Sequence, residues 1–284
     1  MRERILSCEG PQGAHKMAYV EWGPEENSRV LVCVHGLTRN CRDFDFLAQA
    51  MADQYRVVCP DVAGRGRSEW LADGADYDFP VYAADMHALI RHLGARQVDW
   101  VGTSMGGLIG MLVANQTPEL IGRMVLNDVG PVIAAPSLQR ISKYTGNAPL
   151  FDDIAAAERY IRLVSAPSGK LTDAQWRHLT IHEIRQRPDG KYEVNYDPAI
   201  ADSFRKAAAG GGNIDLWPIY EAMTCPTMVI HGSFSDLLTS ETVQQMALRG
   251  PRAKVVEIPG VGHAPALMDD AQIAIVRNFL LGGD

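Results

Sequence analysis

Gly102-Thr103-Ser104-Met105-Gly106-Gly107 reads G-x-S-x-G, and its flanks decide what that pattern means. Gln97-Val98-Asp99-Trp100-Val101 in front of it is rich in branched and aromatic side chains, the composition of a short strand. Leu108 to Ala114 behind it is apolar and free of proline, the start of a buried helix. Strand, tight glycine turn and helix are the context that lifts a serine hydroxyl above a sheet edge as a nucleophile. The small residues let strand and helix approach closely. The helix N-terminus beneath the serine brings free N–H groups and the positive end of the dipole. Without such flanks, G-x-S-x-G is often only a loop serine between two glycines.

Working outward, Glu3 to Cys8 and His15 to Trp22 read as two strands joined by the turn Gly10-Pro11-Gln12-Gly13. Val30 to Val34 is an unbroken apolar run, as expected of a strand covered on both faces, and it stops at His35-Gly36-Leu37-Thr38. Phe44, Leu47 and Met51 recur at helical spacing, Tyr55 to Cys59 is a further strand, and Met86, Leu89, Ile90 and Leu93 line a helix ending near Gly94. Ile121 to Leu126 is the strand after the elbow helix. The alternation then lapses. From Pro131 to Trp217 there are helical segments and turns, with Thr172-Asp173-Ala174-Gln175 a capping box opening a helix to about Arg187 and a short extended piece at Tyr192 to Tyr196. Gly210-Gly211-Gly212 reads as a flexible joint. The rhythm resumes with strands at Thr227 to Ile230 and Lys254 to Ile258 and helices at Glu241 to Leu248 and Ala271 to Leu281. Strands alternating with helices imply parallel strands and right-handed crossovers, so the helical block is an insertion over the sheet's active edge.

Composition narrows the function. A chain of 284 residues with 46% hydrophobic content can bury a sizeable core, and a net charge of −7 without a basic run argues against nucleic acid as a partner. Met1 to Glu9 lack the apolar core of a signal peptide, and no window is long and apolar enough to span a membrane. The five scattered cysteines fit reduced, buried thiols. A cytoplasmic location is the expectation.

In a doubly wound sheet the working groups collect beyond the carboxyl ends of the strands. A serine hydroxyl needs a positioned base, and the base needs a carboxylate to fix its tautomer. His263, in Gly260-Val261-Gly262-His263, follows the last strand and is the base candidate. For the acid, Asp236 in His231-Gly232-Ser233-Phe234-Ser235-Asp236 is preferred, with Asp128 at the end of the preceding strand as its competitor. Met105, directly after the nucleophile, and Leu37, directly after His35-Gly36, are the candidate backbone N–H donors to an oxyanion. His35 reads as a brace for that loop. His178 and His182 have metal-like spacing but lack the H-E-x-x-H order and a nearby cysteine, so a surface pair is the preferred reading. Arg39 reads as a solvated loop arginine rather than a partner for a substrate carboxylate.

With these residues in hand, the chain resembles an α/β-hydrolase-fold serine hydrolase of the esterase/lipase type. The resemblance rests on His35-Gly36-Leu37, Asp61-Val62-Ala63-Gly64-Arg65-Gly66-Arg67-Ser68, Gly102 to Gly107, Gly232 to Asp236 and Gly262-His263, and covers nearly the whole chain apart from the cap. It implies an α/β fold with a mostly parallel eight-stranded sheet flanked by helices and a helical cap inserted after strand 6. The core would be residues 1–130 and 218–284, and the cap residues 131–217. It also implies an acyl-enzyme mechanism on a small-molecule ester, with neither cofactor nor metal. Arg65 departs from the histidine relatives usually carry there, at a position that is not catalytic. A serine nucleophile argues against the haloalkane dehalogenase branch, which uses aspartate.

The expected mechanism has Ser104 attack an ester carbonyl, His263, held by Asp236, take the proton, and Leu37 and Met105 hold the oxyanion, making a carboxylesterase for small to medium esters. Tyr144, Tyr160, Trp176, Trp217 and Tyr220 are available to line an apolar pocket, and each also fits ordinary cap packing. Same-fold rivals are a C–C bond hydrolase of aromatic degradation and a lactonase or acyltransferase, since chemistry on this fold is set locally. A hydrolase-like binding protein is the rival from another class. A homodimer stays open.

Overall fold

Apolar residues alternating between two faces of one sheet organise the chain, as seen in a computed structural model that describes residues 1–147 and 149–283. The amino-terminal hairpin is β1 (Arg2–Gly10) and β2 (Gly13–Trp22). There follow β3 (Val30–Val34), α1 (Asp45–Met51), β4 (Arg56–Pro60), α2 (Phe79–His92), β5 (Val98–Thr103), α3 (Met105–Gln116) and β6 (Ile121–Asn127). The insertion comes next, with β7 (Val132–Ile133), α4 (Ala135–Tyr144), β8 (Leu150–Phe151), α5 (Ile154–Val164), α6 (Asp173–Glu183), β9 (Ile184–Gln186), β10 (Tyr192–Val194), α7 (Ile200–Ala209), β11 (Ile214–Asp215) and α8 (Trp217–Glu221). The chain closes with β12 (Thr227–Gly232), α9 (Ser240–Met246), β13 (Lys254–Ile258) and α10 (Asp270–Leu280).

The eight-stranded sheet runs β1-β2-β4-β3-β5-β6-β12-β13, antiparallel over the first two pairings and parallel beyond. All of β3 is buried, and its side chains divide between layers. Val30, Val32 and Val34 join Trp100 and Leu126 under α2 and α3, whereas Leu31 and Cys33 join Val101 and Ile230 under α1 and α10. A strand buried on both faces cannot alternate with polar residues, which is why its sequence is an unbroken apolar run. Each such side chain contributes about 1.5–3 kcal/mol by leaving water.

The insertion differs in detail from expectation. The capping box forms, Thr172 Oγ1 accepting from the Gln175 N–H. However, α6 ends at Glu183, because Ile184 turns extended and pairs with Val194 in a hairpin about Pro188-Asp189-Gly190. The extended piece at Tyr192 is thus the middle strand of a small sheet, β8-β10-β9. The ends of the insertion are paired to each other: Ile133 stands opposite Ile214, Val132 opposite Asp215, and Leu216 N–H donates to Pro131 O at 2.7 Å. The five cysteines are free and buried. Among the described residues no helix is long and apolar enough to cross a membrane.

Candidate active site

Ser104 joins β5 to α3 with φ 50° and ψ −115°, a conformation L-residues rarely adopt. Strain of this kind costs on the order of 1–3 kcal/mol and persists where the surroundings over-determine it. Here they do. A methyl group on Gly106 would lie 2.0 Å from Val34 O, and one on Gly102 would lie 2.4 Å from the Gly106 carbonyl group, so only glycine permits the turn. Ser104 N–H donates to Asn127 O at 3.0 Å, and Trp100 Nε1 donates to Gly106 O at 3.1 Å.

His263, on the loop after β13, connects the serine to a carboxylate. Its Nδ1 lies 2.7 Å from Asp128 Oδ2 and its Nε2 lies 2.9 Å from Ser104 Oγ. A carboxylate only accepts, so the Nδ1 proton donates to Asp128, and the Nε2 lone pair faces the serine hydroxyl. Asp128 is fully buried at the end of β6 with φ 54°. It also accepts from Gly232 N–H at 2.8 Å and from Ser235 Oγ at 2.6 Å, so three donors meet the buried charge.

The acid assignment is therefore corrected. Asp128 stands where the sequence reading puts Asp236. The Asp236 side chain is 58% exposed and pairs with Arg140 on α4 at 2.9 Å. The cause is the turn after β12: Ser235 N–H returns to Gly232 O at 2.8 Å, which points residue 235 at the histidine's carboxylate and residue 236 away from it. The Asn127-Asp128 pair carried a usable signal, since β6 lies between β5 and β12 and its end reaches the base as readily as the end of β12.

The donor loop lies against the elbow. A methyl group on Gly36 would sit 3.8 Å from Ser104 Cβ. Among the described residues neither the Leu37 nor the Met105 N–H donates to a protein acceptor, which leaves both for an oxyanion. His35 is fully buried, with Nδ1–H donating to Gly36 O at 2.7 Å and Nε2 accepting from Val62 N–H at 3.0 Å. Burial pushes its pKa down to about 3, so it is a neutral brace.

Sequence reasoning missed the part played by Arg65. This side chain is fully buried behind the donor groups. Nε donates to Leu37 O at 2.9 Å, Nη1 donates to Ala63 O at 2.6 Å and Tyr82 Oη at 2.8 Å, and Nη2 lies 3.7 Å from Met105 Sδ. The guanidinium thus touches both Leu37 and Met105, the two candidate donor residues. Its charge is met by the faces of Tyr82 and Tyr77, at 5.1 and 5.6 Å from the ring centroids.

Other expectations resolve locally. Tyr220 is fully buried and donates to Met246 O at 2.8 Å, and Trp176 is buried beside Leu179, so both are packing residues. Trp217 stacks edge-on against Tyr220, and Tyr160 lies against Phe151. The Tyr144 side chain lies outside the described residues. His178 and His182 come beside Asp45, but Arg42 grips that carboxylate and His178 Nε2–H donates to Arg42 O at 3.0 Å. Cys8, His15 and Asp85 form a second cluster with metal-compatible side chains, away from the serine. Burial lifts the Cys8 thiol to about 12, which keeps it protonated beside Asp85, and His15 Nε2 lies 2.9 Å from Asp85 Oδ2. Arg39 is no solvated loop residue: it pairs with Asp43 at 2.7 Å and with Glu183.

Comparison with known proteins agrees with this geometry. Residues 31–276 match the model of the alpha/beta hydrolase family. The chain is 47% identical over 284 residues to the 3-hydroxybutyrate-oligomer hydrolase of Cupriavidus necator, covering 98% of this chain and 97% of that one. A protein of solved structure from Rickettsia typhi superposes with a TM-score of 0.93 at 32% identity, over 100% of both chains. An alpha/beta hydrolase of Novosphingobium aromaticivorans gives 0.85 at 31% identity, over 99% of this chain and 98% of that one. Strand order, elbow and family match converge: the chain belongs to the alpha/beta hydrolase family.

Proposed function

We propose that this hydrolase cleaves carboxylic esters through an acyl-enzyme, with Ser104 as nucleophile, His263 as base and Asp128 as the acid that orients it. The observation that carries the reading is the unbroken hydrogen-bonded line from Ser104 Oγ through His263 to a buried carboxylate held by three donors. Ser104 Oγ bonds to the ester carbonyl carbon while its proton passes to His263 Nε2. The Leu37 and Met105 N–H groups hold the oxyanion. Collapse breaks the bond to the alcohol oxygen, which takes the proton from His263. Water, deprotonated by the same nitrogen, then releases the acid and restores the serine. Asp128 keeps its charge throughout and stabilises the imidazolium.

The substrate class follows from the 47% identical relative: short oligoesters of a hydroxy acid, 3-hydroxybutyrate being the first to try. The test combines labelling with turnover. Wild-type protein should take up one equivalent of a fluorophosphonate and hydrolyse the linear dimer of 3-hydroxybutyrate, and Ser104→Ala should do neither. Full dimer turnover by Ser104→Ala would sink the mechanism. Turnover of p-nitrophenyl esters without any of the dimer would remove the substrate class alone.

A further inference from the structure

Arg39 directly follows the donor loop, its N–H donating to Gly36 O at 3.2 Å. Its Cγ lies 3.5 Å from where a methyl group on Gly36 would sit, the same point that is 3.8 Å from Ser104 Cβ. From this root the side chain reaches into the insertion. Nε and Nη2 grip both oxygens of Asp43 at 2.7 and 2.9 Å. Nη1 faces the insertion, donating to Ser165 Oγ at 3.2 Å and pairing with Glu183 at the end of α6. The turn that begins at Ser165 also touches the base loop, Pro167 O accepting from Gly262 N–H at 2.7 Å. Arg39 therefore borders the donor loop at its root and, at its guanidinium, the turn that touches the base loop. It keeps 21% of its side-chain surface accessible, as His263 keeps 22%.

The Nη1 edge is occupied in a way that invites exchange. Asp43 alone, bound at both oxygens, matches the guanidinium charge. Glu183 is a second carboxylate on the same cation. It is buried, faces Arg39, Asp43 and Tyr160, and its Oε1 has no aligned hydrogen bond. Burial, with the Asp43 charge adding to it, lifts the Glu183 pKa to about 7. A carboxylate that gives up its charge near neutrality can yield its place to another.

An oligoester of a hydroxy acid carries one free carboxylate, and in a dimer that group lies only a few atoms from the scissile ester. We propose that the Nη1 edge of Arg39, with the Ser165 hydroxyl beside it, is the subsite for the free carboxylate of the substrate, which displaces Glu183. This rests on the oligoester reading above and names the group that would select for it. The Nη1 N–H groups suit the task, since they are charged donors whose direction is fixed by the guanidinium plane that Asp43 holds.

The test compares the 3-hydroxybutyrate dimer as free acid with its methyl ester, using the purified full chain near pH 6.5. Wild type should favour the acid in kcat/KM by about tenfold or more, the size of a hydrogen bond to a charged group, and the preference should reside in KM. Arg39→Gln should bring the acid-to-methyl-ester ratio close to one, and Arg39→Lys should retain part of it. In wild type the ratio should fall as pH rises through about 7, where Glu183 ionises and competes. Glu183→Gln should flatten that dependence, and this arm does not need a folded Arg39 variant. Equal use of acid and methyl ester by wild type, or an unchanged ratio in Arg39→Gln, would overturn the subsite and leave the esterase reading intact. No turnover of either ester, or of p-nitrophenyl esters, would overturn both.

Discussion

Ser235 donates its hydroxyl to Asp128 Oδ2 at 2.6 Å while accepting the Leu237 and Leu238 N–H groups at 3.3 and 3.1 Å. It links the turn after β12 to a carboxylate on another strand. Ser235→Ala removes a donor from a buried charge, a loss of about 1.5–3 kcal/mol for a charged hydrogen bond. A kcat reduced roughly tenfold or more, with circular dichroism unchanged, is expected on a p-nitrophenyl ester. A kcat within about twofold of wild type would mean that the remaining donors suffice.

Asp128 and Asp236 can be separated directly. Asp128→Asn should lower kcat on the order of ten-thousandfold, since the histidine loses the partner that fixes its tautomer. Asp236→Asn removes only an exposed pair with Arg140 and should stay within about twofold of wild type. The reverse ranking would restore Asp236 as the acid.

Arg65 supports the donor loop from behind. Arg65→Met should cut kcat by about a hundredfold, comparable to losing an oxyanion donor, with a smaller change in KM. Arg65→Lys keeps the charge without the fork and should recover part of the loss. Steady-state kinetics on one ester settles it, and a change confined to KM would contradict this role.

His35 makes acid stability predictable. Its pKa is about 3 in the fold against 6.5 ordinarily, so unfolding takes up a proton between those values. Stability from this residue is therefore full above about pH 6.5 and declines as the solution is acidified toward pH 3. Tm followed across that range should fall less steeply in His35→Gln than in wild type. Parallel curves would show that His35 is not among the groups that drive acid unfolding.

Gly106 and Gly212 are opposite cases. A methyl group at Gly106 would lie 2.0 Å from Val34 O, so Gly106→Ala should cost several kcal/mol or prevent folding. Nothing lies within 4 Å of the same point on Gly212, so Gly212→Ala should leave Tm within about 2 °C of wild type. Thermal unfolding of the pair checks both.

The middle of the sheet was legible because its strands are buried on both faces: Val30 to Val34 admits little else, and the glycines about Ser104 admit only a tight turn. The places of His263 beside Ser104 and of the Gly36 loop against the elbow followed from their positions at strand ends. The acid did not, because two aspartates end neighbouring strands, and only the turn at Gly232 to Ser235 decides which faces inward. Arg39 was misjudged, and the contacts of Arg65 were missed, for a related reason. A buried arginine and a solvated one look alike until the groups around the guanidinium are known. The end of α6 was placed too late because Ile184 finds a partner in Val194, a pairing across a hairpin that helical periodicity does not register.

The two stems of the insertion are bonded to each other through Ile133 and Ile214, so the chain enters and leaves the insertion at a single point. Evolution, or an engineer, can therefore rewrite everything between those stems as a cassette. A replacement must bring its ends together as a two-stranded root and also meet the base loop, where Pro167 O now accepts from Gly262 N–H. Ser104, His263 and Asp128 all lie outside that cassette, so the insertion can change while these three stay in place.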